Sequence, residues 1–122
     1  MDERSRWLVV GLLALAILVA SVVPIPGAVP EESAGLSTNM LFHLVGYAIL
    51  STALSVAFET RRTIGRSVAA AVVCATGYGA VIEGVQLFVP YRTGDPVDVA
   101  VNAFGALVGA CAWWVSRRAE GL

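Results

Sequence analysis

Eight side chains in this 122-residue chain bring acid, base, amide and phenol chemistry together at helical spacings: His43 and Tyr47, Glu83 and Gln86, Arg92, Asp95, Asp98, and Asn102. At about 100° per residue, His43 and Tyr47 share one helix face, and so do Glu83 and Gln86. Asp98, Asn102, Gly105 and Gly109 form a third stripe, polar at one end and Gly-x-x-x-Gly at the other. Small residues let helices approach closely in lipid, so this stripe is expected to face a bundle interior and to carry Asp98 and Asn102 with it. The catalytic candidates are His43, Glu83, Arg92 and Asp98, with His43 as a general acid or base. The ligand-binding candidates are Tyr47, Gln86, Asp95 and Asn102. Glu83, Asp95 and Asp98 offer the oxygen ligands that a hard divalent cation takes. Arg92 and the amide end of the last helix suit a phosphate. Three carboxylates near one arginine repel a bare phosphate, so an anionic ligand there needs a cation or a protonated acid.

The elements that must position these residues are membrane spans. Hydrophobic residues make up 57% of the chain and charged residues 14%, against about 25% charged in soluble domains. A span needs about 20 mostly apolar residues. Four segments meet or approach this, at about residues 7–23, 40–58, 64–89 and 96–116. The fold expected is therefore all-α, a single domain over residues 1–122 forming an antiparallel bundle of four transmembrane helices. The first segment also has the look of a secretory signal peptide, with Arg4 and Arg6 ahead of an apolar run. An uncleaved span is preferred because an even number of helices satisfies the arginine distribution. Arg4, Arg6, Arg61, Arg62, Arg66, Arg117 and Arg118 fall on one side of the four-span arrangement and only Arg92 on the other. By the positive-inside rule both termini are cytoplasmic, in a multi-pass protein of the plasma membrane. The eight polar residues then lie at the outward end. Trp113 and Trp114 fit an interfacial belt, and the Pro- and Glu-containing connection 25–38 reads as an exposed linker.

A formal net charge of −1 with no lysine leaves no basic face for nucleic acid. Cys74 and Cys111 sit singly within apolar runs, without the spacing of a disulfide framework or a zinc site, and read as small packing residues. No standard nucleophile is evident. Single residues also have structural explanations. Asp95, Pro96 and Asp98 read as a helix start, with Asp as N-cap, Pro at the first helical position and an acid in the first turn. Arg92 suits an ion pair with Glu83 or Asp95, and Tyr47 suits an interfacial belt.

The stretch Glu83-Gly-Val-Gln86, Arg92-Thr-Gly-Asp95-Pro-Val-Asp98 and Asn102-Ala-Phe-Gly105 with Gly109 resembles the signature of the VanZ-like family: E-x-x-Q, R-x-x-D-x-x-D, then N-x-x-G-x-x-x-G. His43 to Leu50 resembles the family's earlier H-x-x-x-Y-x-x-L element. The resemblance spans about residues 39–109. Where family members often carry Asp-Lys ahead of the histidine, this chain has Asn39 and Met40. The resemblance implies a small multi-span membrane protein. The family is named for a member associated with resistance to teicoplanin, a drug that acts outside the membrane.

Three functions follow as expectations. The first is a site at the outer face that binds or processes a lipid or lipid-linked envelope headgroup, with a divalent cation as the candidate cofactor and the bilayer as partner. The second is a non-catalytic protein whose polar cluster locks the helix ends. The third, a transporter, is disfavoured because transport sites usually lie near the bilayer midplane, where this chain is apolar or small. Oligomeric state is left open.

Overall fold

The computed structural model describes residues 1–23, 38–89 and 96–121. These form four helices: α1 (Glu3–Val22), α2 (Thr38–Glu59), α3 (Ile64–Gln86) and α4 (Pro96–Glu120). The shortest, α1, has 20 residues, about 30 Å at 1.5 Å per residue, which matches the hydrocarbon core of a bilayer. All four are long and apolar enough to cross a membrane. The all-α, four-span architecture is as the composition led one to expect.

The helix ends follow from local chemistry. The Asp2 side chain accepts a hydrogen bond from Ser5 N at 2.8 Å, which caps α1, and hydrogen bonding from Ser5 holds that carboxyl below its ordinary range. At the far end, a residue preceding proline avoids helical geometry, and Val23, ahead of Pro24, is extended with φ −92° and ψ 134°. The third helix stops at Gln86, short of the expected Val89. Pro90 follows, and the chain leaves α geometry before it. Phe88 N and Val89 N instead close tight turns onto Val85 O and Gln86 O at 3.0 and 3.1 Å. α4 begins at Pro96, the first-turn place where proline costs no hydrogen bond. It runs on to Glu120, with Arg117 and Arg118 in its last turn, where cations complement the helix dipole.

Successive helices are antiparallel, so α2 and α4 run parallel, and these two make the most extensive contact in the bundle. Glycine explains how. A Cβ built on Gly105 would lie 2.5 Å from Leu44 O, and one on Gly109 would lie 2.1 Å from Ala48 O. Backbone therefore meets backbone, at positions one turn apart on each helix. Thr52 Oγ1 fastens the seam, 2.9 Å from Ala48 O and 3.1 Å from Gly109 O. α3 completes a three-helix core, and α1 lies outside it against α2 and α3. Tyr47, Leu50, Leu54, Ala71, Ala75 and Ala106 form the main apolar cluster. Ser51, Ser55 and Ser67 are fully buried beside it, small residues suited to close packing in lipid.

The outer surface carries large apolar side chains, among them Leu8, Phe42, Val73, Val81, Phe104 and Val115. An apolar exterior of this extent marks a surface that meets lipid rather than water. Two expectations need adjustment. Trp113 is buried with Val68 and Ala110 instead of lying in a belt, because it falls on the same stripe of α4 as Gly109. Cys74 and Cys111 are exposed on the outer faces of their helices and do not pack within the bundle.

At the arginine-rich end, Arg61 pairs with Glu3 at 2.8 Å, and Arg117 bridges Glu59 and Glu120. Arg6 Nη1 donates to Val56 O at 3.1 Å. Trp7 meets Phe58 edge to face, and the Arg62 guanidinium lies over the Phe58 ring, 4.7 Å from its centroid.

Substituting Gly109→Val should cost about 2–3 kcal/mol of bundle stability, since overpacking against a fixed neighbour costs on this order. Gly77→Ala, where a Cβ meets nothing within 4 Å, should leave stability unchanged or raise it slightly through helix propensity. Unfolding of both variants in mixed detergent micelles measures the contrast.

Candidate functional site

The end of the bundle opposite the arginines is formed by the last turns of α1 and α3 and the first turns of α2 and α4. His43, Tyr47, Glu83, Gln86, Asp98 and Asn102 all lie there and all are buried. Three helices supply them. The α2–α4 seam brings the first pair together: His43 Nδ1 and Asn102 Oδ1 are 3.0 Å apart. With the amide oxygen as acceptor, Nδ1 carries the proton, which leaves Nε2 of the neutral ring as the basic nitrogen. One turn deeper, the Tyr47 ring lies nearly parallel to His43, with centroids 6.3 Å apart and planes inclined by 5°. From α3, Gln86 Nε2 donates to Ser21 O at 3.1 Å and ties the end of α1 to the cluster.

Hydrogen-bonding capacity is left over. Tyr47 Oη, Asn102 Nδ2 and Gln86 Oε1 are buried and lack a partner among the described residues. Buried polar atoms are nearly always paired with protein, water or ligand. Asn102 and Tyr47 are each only 1% exposed, so bulk water does not serve these atoms directly.

A residue that the motifs did not single out as part of the cluster shapes it. A Cβ on Gly79 would stand 2.9 Å from Asn102 Nδ2, 3.1 Å from Asn102 Cβ and 3.2 Å from Tyr47 Cε1. Gly79 is thus the notch in α3 that admits the asparagine and the tyrosine. Its signal in the sequence is its place one turn before Glu83 on the same face. Ser21 and Tyr78 also escaped notice. The first acts through its backbone carbonyl, which sequence cannot flag. Tyr78 donates from its hydroxyl to Ala14 O and anchors α1 deeper in the bundle.

Arg92 and Asp95 lie outside the described residues, as does the side chain of Asn39. Among the described residues no three His, Cys, Asp or Glu side chains gather closely enough to hold a metal ion. Of the three candidate metal ligands, Glu83 and Asp98 are buried at this end of the bundle, and Asp95 is the one outside the described residues. Formal charge divides along the bundle axis. Among the described residues, seven arginines share one end with Asp2, Glu3, Glu59 and Glu120, while Glu83 and Asp98 lie at the other. The partial positive charge at the N-termini of α2 and α4 offsets some of this acidity.

The family model described as VanZ/LLP1 matches residues 7–117, from the first span to the end of the fourth, and so includes every residue of the cluster. The chain belongs to the VanZ/LLP1 family. Searches of curated proteins and of solved structures found no match. Within this VanZ/LLP1 chain the separate sequence elements H-x-x-x-Y, E-x-x-Q and N-x-x-G meet at one end of the fold. The glycine of the last element makes the helix contact that brings the asparagine to the histidine.

Gly79→Ala should force Asn102 away from His43 and cost about 1–3 kcal/mol, the usual cost of stranding a buried polar group. In an Asn102→Ala background the same substitution should cost about 1 kcal/mol less, because the clash partner is gone. A double-mutant cycle of unfolding in micelles checks the coupling.

Proposed function

We propose that this protein binds the polar headgroup of a membrane lipid, or of a lipid-linked envelope intermediate, at the His43–Asn102 end of the bundle. The supporting observation is the spare capacity of that cluster. Asn102 Nδ2 and Tyr47 Oη offer donors and Gln86 Oε1 an acceptor, all buried and without partners among the described residues. Headgroup phosphates, hydroxyls and amines are the complementary groups that a bilayer supplies at the end of a span. On this reading His43 and Asn102 form the recognition pair, Glu83 and Asp98 favour a headgroup bearing a cationic or hydroxyl group, and Arg92 meets its phosphate. His43 is also the group suited to proton transfer if the headgroup is processed. The arginine asymmetry supports an orientation in the plasma membrane with both termini cytoplasmic and the cluster facing outward.

A structural reading is favoured by a different observation: His43–Asn102 and Gln86–Ser21 O are bonds between helices, as a lock on the helix ends requires. The two readings separate in one experiment. Wild type, Glu83→Gln, Asp98→Asn and Asn102→Ala are purified in detergent. Thermal stability is measured with and without added short-chain phospholipids of different headgroup, and co-purified lipids are identified by mass spectrometry. Binding predicts headgroup-selective stabilisation of the wild type that the variants lose, while the basal melting temperatures of Glu83→Gln and Asp98→Asn stay within a few degrees. A large basal loss with no lipid effect in any form assigns the cluster to structure alone. For orientation, thiol labelling in intact cells of single cysteines placed at Glu31 and at Glu120, in a chain lacking Cys74 and Cys111, should modify the first and spare the second.

A further inference from the structure

On the outer side of the α2–α4 seam, at the same end of the bundle, lies an open groove of about 240 Å³ lined by Met40, Leu44, Ala100, Val101 and Phe104. Met40 and Leu44 are one turn apart on α2, and Ala100 and Phe104 one turn apart on α4. The short side chain of Ala100 leaves the gap, and Phe104, 60% exposed, stands as its wall. All five lining residues are apolar. The volume is about eight times the ~30 Å³ that a water occupies, room for a segment of a hydrocarbon chain and too little for a docked helix.

The groove adjoins the polar cluster through the chain itself. Leu44 follows His43, and Val101 precedes Asn102. The contact of Gly105 with the Leu44 backbone separates the two, with the groove facing the bilayer and the cluster facing the bundle interior. The N-termini of α2 and α4 lie side by side above both. We propose that the groove is a tail subsite that holds one acyl chain of a membrane phospholipid. The lipid's headgroup turns over the ends of α2 and α4 toward the cluster. The occupant is set by the surroundings: both walls belong to membrane-spanning helices, so what reaches the groove laterally is hydrocarbon. Met40 in its lining, unbranched and adaptable, suits a chain of variable conformation. The proposal rests on the lipid reading given above and names the tail of that lipid.

The test uses the full chain in nanodiscs of phosphatidylcholine doped with a phosphatidylcholine carrying a diazirine on one acyl chain. After irradiation, the labelled peptides are mapped. Label should concentrate on Met40, Leu44 and Phe104 over Val73, which is 71% exposed on α3, by about fivefold or more. Ala100→Trp, a surface substitution that fills the groove, should abolish this preference, while Val73→Trp should leave it intact. Even labelling of the apolar surface, or a preference that survives Ala100→Trp, would overturn the tail subsite. Displacement of the label by a polyprenyl phosphate but not by unlabelled phospholipid would overturn the acyl assignment. Groove labelling that persists without any headgroup preference in the wild type retires the headgroup reading and leaves the tail subsite standing.

Discussion

The close approach of α2 and α4 is the constraint from which the rest of the bundle follows. Two parallel helices meet backbone to backbone because Gly105 and Gly109 leave no side chain to hold Leu44 O and Ala48 O away. The contact repeats one turn apart on both helices and so fixes their register. That register places His43 against Asn102 at 3.0 Å. A larger residue at either glycine would separate the helices and leave two polar side chains buried without each other. In lipid, where water does not rescue such groups, close packing and polar pairing are one requirement.

The same seam organises the polarity of the molecule. Aliphatic and aromatic side chains cover the outside, while nine polar or charged residues are buried among the described residues. They are not spread evenly. Ser51, Ser55 and Ser67 serve packing, whereas His43, Glu83, Gln86, Asp98 and Asn102 collect at one end. α1 joins this arrangement chiefly by offering backbone carbonyls, Ser21 O to Gln86 and Ala14 O to Tyr78. The opposite end is held by surface ion pairs between arginines and acids, a class of interaction worth little in stability but suited to fixing which helix ends sit together.

Much of this was legible in the sequence because the membrane simplifies the code. Long apolar runs bounded by Pro24 and Pro96 identify the first and last helices, and the i, i+4 spacing of His43 and Tyr47 and of Gly105 and Gly109 identifies the faces. The stripe Asp98, Asn102, Gly105, Gly109 points inward as its small residues imply. What escaped was contact made by atoms that every residue shares or lacks. Gly79 matters through a missing Cβ and Ser21 through a carbonyl, and neither has a distinctive residue type. Trp113 misled because a tryptophan near a helix end suits an interfacial belt and a core equally well, and only its stripe on α4 decides. The end of α3 was misplaced because apolar residues 87–89 continue the hydropathy of the span while Pro90 has already ended its geometry.

His43 is the chain's one histidine, so its ring nitrogens can be observed without ambiguity. The most direct measurement is the ¹⁵N NMR spectrum of that imidazole in nanodiscs, for the wild type, Asn102→Ala and Gly105→Ala. If the helix seam holds the pair, the wild type shows a protonated, hydrogen-bonded Nδ1. Both variants then lose that signature, the second without touching either partner. A His43 spectrum that is unchanged in folded Gly105→Ala would contradict the dependence of the site on the glycine contact.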